Sequence, residues 1–366
     1  MRYLAVLGRQ PEISLAELKA LFTRVFIVTP KLASFLTNEQ PNIDQLGGSL
    51  KIAIELKVPP LKYLESLPKG KITLGLSDYS QQSSARFIVG EALKLKRILA
   101  KKGRSIRVVV NHQTAVLSTA TTWHNRLYGI YSNKIELLFV DGKWWKVIGV
   151  QNIDAYRERD QARPARDAKV GMLPPKLAQI LINLCGPLPR SARILDPFCG
   201  TGVVLQEAGL MGYQIYGTDV DPRMVEYTKR NLKWLKLTGE VRLGDVTSFK
   251  WQGNIDAVVC ESYLGQPMST IPKTVKLKNE QQVCSQIILK GLKNLATQLK
   301  TNTPVVMAIP AWLRPDGDYE HLKIIDEIKS LGYNVENKTH KGLLYCRQGQ
   351  IVAREIIILR KKTCQK

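Results

Sequence analysis

The chain is poor in the residues that staple or metallate a fold. Its 366 residues include six cysteines and four histidines. Cys185, Cys199, Cys260, Cys284, Cys346 and Cys364 form no C-x-x-C pair, and no histidine stands at ligand spacing, so neither a zinc module nor a disulfide scaffold is indicated. The cysteines are expected to be reduced and structural, and no metal is expected. No apolar run reaches the roughly 18 residues needed to span a bilayer, and Arg2, Arg9 and Glu12 break any secretory stretch near the start. A cytoplasmic protein without membrane contact is expected. Fixed-period repeats and low-complexity tracts are also missing. Acidic residues are scarce, with 31 Asp plus Glu against 54 Lys plus Arg and a formal net charge of +23. That excess steers a protein towards polyanions, nucleic acid before membrane.

What is present begins with length. At 44% hydrophobic composition, the chain can bury more than one core and suggests two or three domains. Its most informative stretch runs Ile194-Leu195-Asp196-Pro197-Phe198-Cys199-Gly200-Thr201-Gly202. Apolar residues before Asp196 suit a buried strand, the small residues from Cys199 to Gly202 suit a tight turn, and Val203 to Leu210 carries helical periodicity. Gly200 and Gly202 let main-chain N–H groups approach a ligand closely, and a helix N-terminus favours a carboxylate. A second strand, Tyr213 to Gly217, leads to Asp219 about 20 residues on, where an acid accepts from ribose hydroxyls. A third, Val241 to Val246, is expected to end at Asp245, an acceptor for an adenine amino group. Each acid taken alone is also a plausible helix-capping or turn residue. Together they describe a site for S-adenosylmethionine (AdoMet), and the stretch resembles the class I AdoMet-dependent methyltransferases. The turn lacks the G-x-G-x-x-G spacing of a dinucleotide site. The cofactor-binding set is Pro174, Asp196, Phe198, Gly200, Gly202, Asp219, Asp245 and Val246, with Pro174 and Lys176 shaping the methionine end.

Four segments are expected. Residues 1–60 open with a strand at Tyr3 to Leu7 and a helix from Ser14 with a capping box to Glu17, and close at Pro59-Pro60. Residues 61–155 alternate a basic helix, Ala85 to Lys102, with strands at Ser105 to Val110, Lys134 to Val140 and Trp144 to Val150. Residues 156–170 are charge-dense and proline-interrupted, the pattern of a linker. Residues 171–366 alternate strands and helices, the pattern of a mostly parallel sheet, and finish with an antiparallel hairpin of Leu343 to Tyr345 and Ile351 to Leu359 around Arg347-Gln348-Gly349.

In the front half, Lys94, Lys96, Arg97, Lys101, Lys102, Arg104 and Arg107 concentrate positive charge. Such a run is either a solvated helix face or a polyanion contact, and the shortage of interleaved acids favours contact. Trp123, His124, Arg126 and Tyr128 are candidates for stacking on unpaired nucleotides, or half-buried strand residues.

Met1-Arg2-Tyr3-Leu4-Ala5-Val6-Leu7-Gly8-Arg9-Gln10-Pro11-Glu12-Ile13-Ser14-Leu15-Ala16-Glu17-Leu18 is similar to the opening of the THUMP-containing tRNA guanine-10 N2-methyltransferase family. So are Arg159-Asp160, Arg163-Pro164, Arg166-Asp167, Gly171 to Ala178, Tyr345-Cys346-Arg347 and Val352-Ala353-Arg354-Glu355. The resemblance implies a ferredoxin-like N-terminal domain, an RNA-gripping THUMP domain and a Rossmann-like methyltransferase domain acting on tRNA, with mono- or dimethylation and any partner subunit left open.

That family places its acceptor groups in an (Asp/Asn)-Pro-Pro-Tyr turn after the fourth strand. Here the strand Asp256 to Cys260 ends in Glu261-Ser262-Tyr263-Leu264-Gly265-Gln266-Pro267. Both prolines are missing, Glu261 carries the carboxylate one methylene further out, and Tyr263 stands one residue early. Glu261, Ser262 and Tyr263 are the catalytic candidates, Glu261 accepting from a guanine amine and Tyr263 supplying a clamping ring. Trp312, after a fifth strand at Pro304 to Ala311, borders the base pocket or fills the core. The alternatives are methylation of another exocyclic amine in rRNA or DNA, and an AdoMet-binding RNA adaptor without catalysis.

Overall fold

The computed structural model describes all residues except 81, 131, 168–171, 337–342, 348 and 364–366; Gly171, Gln348 and Cys364, used above, lie outside the described residues. The chain forms two compact units, Met1–Tyr156 and Arg157–Lys366.

Eight strands build the sheet of the first unit: β1 (Arg2–Leu7), β2 (Thr23–Thr29), β3 (Leu32–Leu36), β4 (Ser49–Glu55), β5 (Ile72–Asp78), β6 (Ile106–Val109), β7 (Lys134–Val140) and β8 (Lys143–Val150). Their order is β2-β3-β1-β4-β8-β7-β5-β6. Because β4 pairs with β8, one continuous sheet crosses the expected division at residue 60. β7 and β8 are joined by Asp141-Gly142, both at positive φ (47° and 71°), the conformation that a two-residue hairpin of this hand requires. β5 runs parallel to both β6 and β7, and the helix Ala85–Lys101 supplies the crossover to β6, with Ser84 Oγ accepting from the Phe87 amide as its cap.

The expected capping box is corrected. The first helix starts at Pro11, three residues before Ser14, because proline is already set for the first helical position. Glu17 is fully buried and accepts instead from the amides of Gly47 and Gly48, each at 2.9 Å. The unit also buries an ion pair. Lys51 Nζ donates to Glu136 Oε1 and Oε2 at 2.7 and 2.8 Å, and to the Leu117 carbonyl at 2.9 Å. The hydroxyls of Ser77 and Thr122 each donate to Glu136 at 2.6 Å.

The second unit carries β9 (Arg193–Asp196), β10 (Gln214–Asp219), β11 (Glu240–Leu243), β12 (Ala257–Glu261), β13 (Pro304–Leu313), β14 (Tyr319–His321), β15 (Tyr333–Val335), β16 (Leu344–Tyr345) and β17 (Val352–Lys361). The order is β11-β10-β9-β12-β13-β17-β15, with β14 on β13 and β16 on β17. β11 to β13 are parallel along this path, whereas β17 runs antiparallel to β13 and pairs with β16 as the expected closing hairpin. This is the Rossmann-like sheet with an antiparallel edge. β10 and β12 flank β9 on opposite sides, so the strand order reverses there and opens a crevice beyond the carboxyl ends of β9 and β12. The helix Val203–Leu210 is buried on all sides through Ala208, and Thr274–Ala296 sets Cys284, Ile288 and Leu292 into the core with Val258, Met307 and Ile357.

Candidate active site

Three carboxylates stand at the carboxyl ends of three adjacent strands: Asp219 on β10, Asp196 on β9 and Glu261 on β12. Apolar runs such as Ile194-Leu195 and Val258-Val259-Cys260 are buried by the helices packed on the sheet, so the first polar residue of each falls at the crevice.

The turn after β9 is built on two left-handed glycines, Gly200 at φ 51° and Gly202 at φ 82°. Gly202 precedes the helix Val203–Leu210, and a Cβ there would meet Thr228 Cγ2 at 2.8 Å. A Cβ on Gly200 would have only the Phe198 carbonyl within 4 Å, at 3.9 Å, so a ligand can approach the main chain at that point. Asp219 fixes the turn from the neighbouring strand: Oδ2 accepts from the Gly200 amide at 2.8 Å and Oδ1 from Asp221 at 2.9 Å. Thr228 Oγ1 donates to the Gly200 carbonyl at 2.7 Å, and Asn231 Nδ2 to that of Thr201 at 2.8 Å.

Asp196 is buried and accepts from the Phe198 amide at 3.1 Å. Burial pushes its carboxyl well above the ordinary carboxylate range; the Phe198 amide opposes this, while the charges of Asp219 and Glu261 add to it. Burial raises Asp219 too, against the amides of Asp221 and Gly200. Phe198 packs against the core and Val246 is part of it. Pro174 is buried and caps the helix Pro175–Asn183 with its carbonyl, which accepts from Leu177 and Ala178. Asp245 departs from expectation. β11 ends two residues earlier, at Leu243, and Asp245 begins an exposed turn, its Oδ1 accepting from Thr247 at 2.8 Å.

A raised carboxyl holds its proton in the folded chain to higher pH than in the unfolded one, so its contribution to stability is greatest below the unfolded value near 3.8 and declines as pH rises towards the folded one. Each such group contributes at most about 1.4 kcal/mol per pH unit. Asp196→Asn is therefore expected to flatten the fall in urea midpoint of the ligand-free protein as pH rises above the unfolded value near 3.8. An unchanged slope would count against Asp196 as its source.

The catalytic candidates do not behave alike. Glu261 is paired with Arg354 of β17, Arg354 Nε donating to Oε1, with side chains only 16% and 6% exposed. The amide and the hydroxyl of Ser262 both donate to the Ala308 carbonyl, at 2.9 and 3.2 Å, and so secure the strand end. The ring of Tyr263 packs against the core cluster and its hydroxyl accepts from Gln266 Nε2 at 3.0 Å. Trp312 is fully buried in that cluster.

The expected linker is partly helical, residues 157–161 ending the helix Ile153–Gln161. Arg159 Nε and Nη2 bind Glu207 at 2.7 and 3.2 Å, and the amide and carbonyl of Ala165 both bond Asn231. Asn231 and Thr228 escaped the sequence reading, and Arg354 entered it only within Val352-Ala353-Arg354-Glu355, without a role. For Arg354 the available signal was a charged pair, Arg354-Glu355, inside an otherwise apolar strand.

In the first unit, Lys96, Arg97 and Lys101 are exposed and make no ion pair among the described residues, whereas Lys94 and Lys102 pair with Glu91 and Glu65. Arg104 is turned onto the carbonyls of Leu67 and Pro68. Trp123 and Tyr128 stack on one another, centroids 5.7 Å apart and planes within 5°.

Residues 163–291 match the model of a family described as RMKL-like, methyltransferase domain. The tRNA (guanine(10)-N2)-dimethyltransferase of Methanothermobacter thermautotrophicus is 36% identical over 188 residues, 50% of this chain and 51% of that protein. The protein of the same name from Methanocaldococcus jannaschii is 44% identical over 161 residues, 42% of each chain. The matched stretch thus spans about half the length of the first relative or less of the second. The solved structure of TrmN from Thermus thermophilus aligns over 99% of this chain and 100% of that one, with a TM-score of 0.49 at 15% identity.

Proposed function

Because residues 163–291 match the model of the RMKL-like methyltransferase domain, we propose that the chain transfers a methyl group from AdoMet to the exocyclic N2 of a guanine in tRNA. The observation that carries this is the convergence of Asp219, Asp196 and Glu261 on one switch-point crevice beside a two-glycine turn. The names borne by these two relatives support tRNA as substrate and guanine 10 as the target. The net charge of +23 supports an anionic partner. On this reading the unit Met1–Tyr156 holds a ferredoxin-like part up to residue 60 and a THUMP part beyond it, built on one sheet, with Lys96, Arg97 and Lys101 facing RNA. Among the described residues no helix is long and apolar enough to cross a membrane, and a cytoplasmic location is part of the proposal.

The residues fit the cofactor. Open space over Gly200 admits a ligand close to the main chain, Asp219 is held by two amides and retains lone pairs for ribose hydroxyls, and the Asp245 carboxylate is exposed for an adenine amine, with Val246 beside it. Pro174 and the helix it caps border the methionine end. Bound there, the cofactor supplies an electrophilic methyl group. A guanine N2 is a weak nucleophile because its lone pair is delocalised into the ring. Glu261 Oε2 accepts an N–H of that amine, favours the pyramidal nitrogen and takes the proton it loses.

Purified protein, labelled AdoMet and undermodified tRNA are expected to yield N2-methylguanine, and Glu261→Ala to abolish it with AdoMet binding retained. Salt-sensitive tRNA binding without turnover would make the chain an AdoMet-binding RNA adaptor instead. Equal activity on single-stranded DNA would point to a broader exocyclic-amine methylase.

A further inference from the structure

We propose that Arg354 is the positioning residue of the acceptor site, anchoring one oxygen of Glu261 so that the other is presented to the guanine amine; this rests on the function proposed above. The strand register makes the pair. Glu261 lies opposite Ala308, Ala308 opposite Ile356, and Pro310 opposite Arg354. Arg354 is two residues from Ile356, hence on the same face of the sheet as Glu261, and reaches diagonally across β13. Its Nε donates to Glu261 Oε1, and the side chain is only 6% exposed. Glu261 Oε2 has no hydrogen bond to any described residue, and Glu261 remains 16% exposed. The carboxylate is therefore tied at one oxygen, while the other has no hydrogen-bond partner among the described residues, at the crevice where it acts electrostatically on Asp196.

The pair answers a problem posed by the local sequence. Glu261-Ser262-Tyr263-Leu264 has no proline to stiffen the turn, and glutamate has one more rotatable bond than aspartate. A free glutamate would distribute its oxygens over several rotamers. The planar guanidinium, held in the strand, selects one of them, and it supplies the compensating charge without which a carboxylate in a half-buried crevice is costly. The bonds from the Ser262 amide and hydroxyl to Ala308 fix the next residue. The length of Glu261 and the cation on β17 are thus parts of one device.

The test is steady-state methyl transfer to undermodified tRNA by the full chain, with AdoMet affinity and thermal midpoint measured on every variant. Arg354→Met is expected to lower kcat on the order of 100-fold, the cost of misplacing a reacting group, while tRNA KM and AdoMet affinity stay within about threefold. Arg354→Lys, which keeps the charge and loses the fork, should recover about tenfold of that loss. Glu261→Gln with Arg354→Met leaves no lone charge, guards against a folding failure, and should be no slower than Glu261→Gln alone. Wild-type kcat in Arg354→Met, or single losses that multiply in the double variant, would overturn the positioning role and leave the function standing. No turnover by the wild-type chain would overturn the function itself, and this role with it.

Discussion

Lys51→Met is expected to destabilise the first unit by about 3–5 kcal/mol, because it strands the Glu136 carboxylate in a site where neither partner is more than 1% exposed. The gross attraction of the pair is not the reason. Desolvating two charges offsets most of it, and the loss comes from leaving one charge buried without a counter-ion. For a unit of this size the unfolding midpoint should fall by roughly 6–20 °C. Calorimetry on the full chain checks this, and Glu136→Gln added to Lys51→Met should recover part of the loss. A drop under about 1 kcal/mol would show that water or rearrangement satisfies Glu136. The consequence reaches the proposed RNA surface. Lys51 also binds the Leu117 carbonyl, and Glu136 accepts from Thr122, so the segment carrying Trp123, His124 and Arg126 should loosen and tRNA affinity fall together with stability.

Asp219→Ala is expected to have the largest effect on the cofactor, weakening AdoMet binding on the order of 100-fold or more, since charge-assisted hydrogen bonds contribute about 1.5–3 kcal/mol each. Two losses combine in it: the acceptor proposed for the ribose, and the tether of the Gly200 and Asp221 amides that holds the turn in shape. Asp245→Ala provides the contrast. Its carboxylate is exposed and holds only its own turn through Thr247, so about tenfold is expected, one exposed hydrogen bond's worth. Titration calorimetry with AdoMet and its demethylated product measures both. Equal effects of the two substitutions would dismiss the tether.

Where the sequence reading succeeded, the signal was local. The strand and helix around Asp196-Pro197-Phe198-Cys199-Gly200-Thr201-Gly202 follow from a buried apolar run, two glycines and helical periodicity, and the structure builds each within two residues. It failed where a local pattern had a distant use. Ser14 and Glu17 have capping-box spacing, yet Pro11 starts the helix earlier and Glu17 serves the Gly47 and Gly48 amides 30 and 31 residues away. Asp245 was expected to end a strand because Val241 and Leu243 precede it, but Gly244 donates its amide to the Asp219 carbonyl, and the chain turns there. In the charge-dense segment after Tyr156, Arg159 and Ala165 find their partners in Glu207 and Asn231, far along the chain.

The sequence by itself determined that a two-glycine turn follows an acid-tipped strand, that a second acid-tipped strand comes after it, and that the chain is strongly cationic, since each is a matter of composition or of residues close together along the chain. Only the tertiary structure decided which charges meet. Glu261 and Arg354 are 93 residues apart and Lys51 and Glu136 are 85 apart. Strand order and register, set by burial of whole faces, bring them together, and no spacing along the chain encodes that distance.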